Sequence, residues 1–275
     1  MELRPFGPGR TPVPSVGIGT WMMERDDRAS AVAAIRRAIE LGMSHIDTAE
    51  MYGTGRVEAI VGEAIRGLRE KVFLVSKVLP SNASATGTLR ACERSLKHLG
   101  TDHLDGYLLH WPGATRLPET FGAFERLVRD GKIRSWGVSN FDARMMERAV
   151  ESTSADRIAC NQVLYHLEER TIEHELLGWC QARGIAVVAY SPLGGTRFPE
   201  SKVLDDLAAA RGATPRQVAL AFLLRNPSVF VIPKASVVAH VEEDAAAASI
   251  RLTDAEVRAI EEAFPRGPWK GLATA

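Results

Sequence analysis

Short runs of apolar and β-branched residues alternate along the chain with stretches whose apolar positions recur every three or four residues. The runs are VGIG (16–19), SHID (44–47), VFLVSK (72–77), LDGYLLHW (104–111), IRSWGVS (133–139), IACNQV (158–163), IAVVAY (185–190) and VFVIPK (229–234), and each predicts a strand. Between them, Val57, Ile60, Val61, Ala64, Ile65 and Leu68 mark one face of a helix. Leu89, Cys92, Leu96 and Leu99 mark a second such face, and Leu117, Phe121, Phe124 and Val128 a third. Thr214 before Pro215 reads as an N-cap and first-turn proline opening a helix through Leu224. Eight strands, each followed by helix, predict an α/β chain closed as a (β/α)8 barrel. A doubly wound sheet would want G-x-G-x-x-G after an early strand, and the nearest match, GIGTWM (17–22), lacks the third glycine. Residues 1–17 are too proline-rich for a central strand and predict an N-terminal β-hairpin over one barrel mouth. No linker or repeat interrupts the pattern, so residues 1–275 read as one barrel domain.

Composition narrows the partners. Lys plus Arg and Asp plus Glu number 34 each, so no global field recruits nucleic acid or an anionic membrane. No apolar run approaches membrane-spanning length. Cys92, Cys160 and Cys180 form no CxxC and leave one unpaired in any bridging scheme, which suits a reducing cytosol. The expectation is a soluble cytoplasmic protein with no obligate protein partner.

In a barrel of this kind, chemistry collects at the C-terminal strand ends. Those ends carry Asp47 with Tyr52 just beyond, Lys77, His110, Ser139 with Asn140, Asn161 with Gln162, Tyr190 with Ser191, and Lys234. Singly, Asp47 reads as a turn cap, Lys77 as a solvated strand end, His110 as a core histidine and Tyr52 as a loop aromatic. Together they are neighbours on one rim, and that favours chemistry. A free phenol titrates near 10. A lysine ammonium 4 Å from Tyr52 would contribute roughly 4 kcal/mol toward its ionised form, drawing it toward neutrality. Asp47 would hold Lys77 charged, and His110 would orient a substrate oxygen.

The segments GMSHIDTAEMYGTGRVEAIVGEAI, VFLVSKVLP, LDGYLLHWP, GKIRSWGVSNF, NQVLYH, AYSPLGG and VIPKAS closely resemble the aldo-keto reductase family, in its bacterial, diketogulonate-reductase-like branch. The resemblance implies a barrel that reduces aldehydes and ketones, dicarbonyls or sugar-derived carbonyls among them, with a nicotinamide cofactor. It places the catalytic tetrad on Asp47, Tyr52, Lys77 and His110, with Tyr52 as general acid. It places the carboxamide on Ser139, Asn140 and Gln162, the nicotinamide ring against Tyr190, and the pyrophosphate near Ser191 and Leu193. Lys234 and Ser236 match residues near the adenosine 2′-phosphate, and Glu243 and Asp244 the helix that holds adenine. His240 stands where many NADP-preferring relatives carry arginine, and it lacks the guanidinium fork. The implied cofactor is therefore NADP(H) by a narrowed margin, with NAD(H) open. Trp21 and Trp111 match pocket walls, and Met22, Met51 and Tyr165 are weaker candidates for the same pocket. The short segment FPRGPWKGLATA suggests an open pocket, over which Trp269 could fold.

Other chemistries have less to stand on. HELLG (174–178) has Gly178 where a zinc-binding H-E-x-x-H needs its second histidine, and no metal is expected. His98 and His103 read as surface or capping residues. Two rival functions are a nucleotide-binding regulatory subunit with little turnover and a Schiff-base lyase using a neutral Lys77.

Overall fold

A computed structural model describes residues 1–195 and 197–274. Strands β1 (Leu3–Phe6) and β2 (Thr11–Pro14) pair antiparallel. The next eight are β3 (Ile18–Gly19), β4 (His45–Asp47), β5 (Phe73–Val78), β6 (Leu104–Leu109), β7 (Ile133–Ser139), β8 (Ile158–Leu164), β9 (Ala186–Tyr190) and β10 (Val229–Ile232). They form one parallel sheet in sequential order. Its edges meet: the Gly17 and Gly19 N–H groups donate to Val231 O at 2.8 Å and Pro233 O at 2.9 Å, and the Val231 N–H donates to Ser15 O at 2.9 Å. A Cβ on Gly19 would stand 2.7 Å from Ile232 O, so only glycine lets the first and last strands approach this closely. The expected barrel is therefore closed.

Helices α1 (Arg28–Glu40), α2 (Arg56–Ala64), α3 (Ala85–Leu99), α4 (Leu117–Arg129), α5 (Ala143–Glu151) and α6 (Leu176–Ala182) alternate with strands β3 to β9. After β9 come α7 (Lys202–Ala209) and α8 (Pro215–Leu223), and after β10 come α9 (Val238–Ala246) and α10 (Asp254–Ala263). The start of α8 follows its sequence signal. Thr214 accepts from the Gln217 N–H, and the Gln217 side chain accepts in return from the Thr214 N–H, a full capping box. The α2 pattern overran. The helix stops at Ala64, because the chain turns through Gly67 at φ +79° before reaching the half-buried Leu68.

The hairpin covers the N-terminal mouth. Phe6 inserts there, its ring centroid 5.0 Å from both Phe73 and Phe230 and 5.9 Å from His45. Above it, Val75, Leu108, Cys160, Val188 and Ile232 continue an apolar plug inside the barrel. The other end is left open for polar groups. All three cysteines are buried and free, and burial pushes the Cys92 and Cys180 thiols up to about 12. No described helix is long and apolar enough to cross a membrane.

Candidate active site

Three adjacent strands deliver Asp47, Lys77 and His110 to the open rim, and the turn after β4 brings Tyr52 over them. Lys77 is fully buried and Asp47 is 2 % exposed. The Lys77 ammonium spends its three protons on Asp47 Oδ1 at 2.6 Å, Thr48 O at 2.9 Å and Tyr52 Oη at 3.2 Å. The second Asp47 oxygen accepts from Gln162 Nε2 at 2.7 Å. The buried pair is thus fully satisfied, the condition under which such a pair is tolerated. The His110 ring lies 5.9 Å from the Tyr52 ring and 4.8 Å from Trp111.

Burial pushes the Lys77 ammonium toward its neutral form, but Asp47 and Tyr52 overcome that and hold its pKa above the ordinary value. A charged lysine disposes of the Schiff-base reading. Burial and Lys77 together depress His110 to about 2, so its imidazole is neutral. Tyr52 departs from the sequence expectation. Burial raises its pKa, and Asp47 offsets much of what Lys77 contributes in the other direction. The phenol is not drawn down toward neutrality. It keeps its proton and so has one to give.

Beside this group, Ser139 Oγ donates to Gln162 O at 2.8 Å, and Asn140 Nδ2 donates to His110 O and Ser139 Oγ, each at 3.2 Å. Tyr190 Oη donates to Asn140 Oδ1 at 2.9 Å, which ties the end of β9 to the end of β7. Asn161 turns elsewhere, its amide Nδ2 donating to Phe141 O at 2.7 Å. Leu193 stands with Pro192 and Gly194 in the loop beyond Ser191, lining a small cleft with His166 and Phe198. At the neighbouring strand end, beyond β10, Lys234 is bonded to Asp26 and Ser236, while His240 is exposed in the first turn of α9. Glu243 accepts from Thr214 Oγ1 at 2.6 Å and so is not a loose surface charge. Asp244 is buried, and desolvation with help from Glu243 raises it to about 8.

Trp21 and Trp111 stand on the rim, 45 % and 37 % exposed, with Met51 also exposed. Tyr165 does not join them. It is buried, and its hydroxyl donates to Glu173 and accepts from Arg225 Nη1 at 3.1 Å. Trp269 packs edge-on against His174 at 6.2 Å. His98 is more than a surface residue, because its Nδ1 meets the buried Glu58 carboxylate at 3.2 Å, and Glu58 also accepts from Ser76 Oγ at 2.7 Å. His103 Nδ1 lies 2.7 Å from Asp102. No group of three or more metal-ligating side chains stands together among the described residues.

Backbone strain gathers on the same rim. Among the described non-glycine residues at positive φ, Met22, Thr54, Asn140 and Ser191 follow barrel strands β3, β4, β7 and β9, and Arg10 lies in the hairpin turn. Such conformations cost of order 1 kcal/mol each and cluster where side chains must be aimed. Nothing in the residue types at Met22 or Ser191 signals this.

A sequence profile described as the Aldo/keto reductase family matches residues 15–264. The chain belongs to the aldo/keto reductase family. It is 47% identical over 264 residues to methylglyoxal reductase YeaE of Escherichia coli, covering 94% of this chain and 93% of that one. It is 35% identical to the glyoxal reductase of Bacillus subtilis, over 81% of this chain and 78% of that one. Among solved structures, an aldo-keto reductase from Klebsiella pneumoniae in complex with NADPH superposes with a TM-score of 0.94. It shares 45% identity, with 100% of this chain and 99% of that one covered.

Proposed function

We propose that this aldo/keto reductase uses NADPH to reduce small aldehydes and ketones, reactive dicarbonyls foremost, to the corresponding alcohols. The carrying observation is the hydrogen bonding of Tyr52. Its oxygen already accepts from Lys77, so its own proton is left for an acceptor in the open mouth of the barrel. A substrate carbonyl oxygen placed there receives that proton, while neutral His110 offers an N–H to the same oxygen without adding charge. Lys77, locked between Asp47 and Thr48, balances the phenolate that remains until solvent reprotonates it.

The residues around the tetrad fit a nicotinamide. Gln162 Oε1 makes no hydrogen bond among the described residues and can accept from a carboxamide. Ser139 and Asn140 supply the remaining polar partners, and Tyr190, held by Asn140, offers a flat face for the ring. Bound there, the reduced cofactor supplies the hydride that completes the conversion of C=O to CH–OH. The rest of the cofactor would extend past Ser191 and Leu193 to Lys234 and Ser236, beyond the last two barrel strands, where barrels of this class commonly hold phosphate.

Trp21, Trp111 and Met51 form an exposed apolar border to the mouth, and Trp269 packs away at His174. An uncovered mouth suits a small, permissive substrate, in keeping with the methylglyoxal and glyoxal reductases among the relatives. Buried, unpaired cysteines suit a reducing cytoplasm. No observation favours a regulatory subunit. The test is NADPH consumption at 340 nm with methylglyoxal, in wild type and Tyr52→Phe. Turnover in the first and its near-abolition in the second supports the assignment. Binding of NADPH without turnover on any of several aldehydes and ketones defeats it.

A further inference from the structure

Lys234, the cation at the end of the last barrel strand, already has an anion. Its Nζ donates to Asp26 Oδ2 at 2.6 Å and to Ser236 Oγ at 3.1 Å. Asp26 lies in the segment after β3, so the pair ties the first loop of the rim to the last. The two side chains are 35 % and 29 % exposed, open enough for a ligand to reach. Beyond them α9 begins with no side-chain cap on its first turn. With the adenosine 2′-phosphate held by Lys234 and Ser236, the cofactor placement on which this inference rests, Asp26 stands in the way of the phosphate. We propose that Asp26 is a specificity-determining residue that sets how this chain divides its affinity between NADPH and NADH, by occupying in advance the lysine that a 2′-phosphate requires.

The effect is electrostatic. An ammonium has three protons, and Asp26 and Ser236 hold two of them. A phosphate dianion arriving beside Lys234 is attracted by the lysine and repelled by a carboxylate at nearly the same distance, so the two largely cancel. NADH presents an uncharged hydroxyl at that position. It is neither attracted nor repelled to a comparable degree, and the ion pair stays in place. Asp26 thus lowers the advantage of NADPH and leaves NADH almost untouched.

The neighbouring residues do not restore that advantage. Position 240 offers an exposed histidine, which lacks the planar, permanently charged fork of a guanidinium. Glu243 is committed to Thr214 and adds a further negative charge. In dinucleotide sites generally, a carboxylate near the adenosine ribose accompanies NAD and an arginine accompanies NADP. A lysine held by a carboxylate combines features of the two. Asp26 is central in the charged run ERDDR (24–28), and the fold sets it directly across the barrel seam from Lys234.

Calorimetric titration with 2′,5′-ADP and with 5′-AMP tests this without turnover, because the two nucleotides differ only in the 2′-phosphate and carry no nicotinamide. Asp26→Asn and Asp26→Ala should each tighten 2′,5′-ADP by about tenfold and leave 5′-AMP within about twofold. Fluorescence titration with NADPH and NADH should show the same change in ratio. If both variants bind 2′,5′-ADP as wild type does, or tighten both nucleotides alike, the proposal is overturned. Lys234→Ala separates this outcome from failure of the cofactor placement. Selective weakening of 2′,5′-ADP upholds the lysine's placement whatever Asp26 does. Equal weakening of both nucleotides, or of neither, removes the placement and the proposal together.

Discussion

Two parts of the barrel's open rim handle charge in opposite ways. At the tetrad, a buried lysine and aspartate are satisfied to the last proton: Lys77 bonds Asp47, Thr48 and Tyr52, and Gln162 takes the remaining carboxylate oxygen. At the seam where the first and last barrel strands meet, Lys234 and Asp26 are a third exposed and still have capacity for another partner. Buried pairs are rigid and fail when one member is removed, whereas exposed pairs contribute little and exchange partners readily. The first arrangement suits a proton that must be given to one place. The second suits a ligand group that is present in one cofactor and absent in another.

The sharpest way to break this comparison is at the buried end. Tyr52→Phe removes the transferable proton but leaves the ring, and kcat/KM for methylglyoxal should fall by about 10²–10⁴. Stability should fall by only about 1 kcal/mol, because the ring contact with His110 survives while one Lys77 proton loses its acceptor. Lys77→Met should abolish turnover as severely and also destabilise the fold by about 3–5 kcal/mol, since Asp47 is then buried without its cation. Urea titration distinguishes the two. A Lys77→Met protein as stable as wild type would contradict the account of a fully desolvated, mutually dependent pair.

Below the tetrad, His45 tests the cost of burying a titratable group with no partner at all. Both ring nitrogens lack hydrogen bonds, Phe6 and Phe73 close around the ring, and burial lowers its pKa to about 4 against opposing help from Asp47. A histidine depressed in the folded state gives stability that is complete above its unfolded value near 6.5 and is lost as pH falls toward 4. The loss should approach about 3 kcal/mol, and His45→Leu should flatten that part of the acid limb. Asp244 predicts the opposite slope. Raised to about 8, its carboxyl favours folding at low pH and disfavours it as pH rises from about 4 through 8, so Asp244→Asn should flatten the alkaline side. Denaturation midpoints measured from pH 4 to 9 read both. Unchanged curves in either variant would mean that water reaches the group.

The contrast also explains what could be read from sequence. The barrel was legible because strands buried on both faces leave short apolar runs, and helices leave a three-to-four periodicity. The tetrad was legible because strand ends in a barrel share one rim. The Tyr52 pKa was not: distance to a lysine can be guessed from topology, but burial, which decides the direction, cannot. Tyr165 was misassigned to the pocket for a related reason. A side chain after β8 can turn toward the mouth or away from it, and Glu173 with Arg225 turns it away. Asp26 and Glu58 were missed because an ionisable residue beside other charges, or one step off an apolar helix face, looks solvated until the partner across the fold is known.

The finest comparison lies at position 240. His240 is exposed in the first turn of α9, close in sequence to Lys234 and Ser236 and beside a helix start that lacks a side-chain cap. His240→Arg adds a permanent, forked cation there. Exposed ionic contacts are worth up to about 1 kcal/mol, so 2′,5′-ADP affinity should rise by no more than about fivefold, with 5′-AMP unchanged. Combined with Asp26→Asn the gain tells more than either alone. If both residues act on one phosphate, freeing Lys234 lets the arginine share a ligand that is already well held, and the two effects fall short of multiplying. Full multiplication would place His240 and Asp26 on different parts of the cofactor, and calorimetry on the four proteins decides between these outcomes.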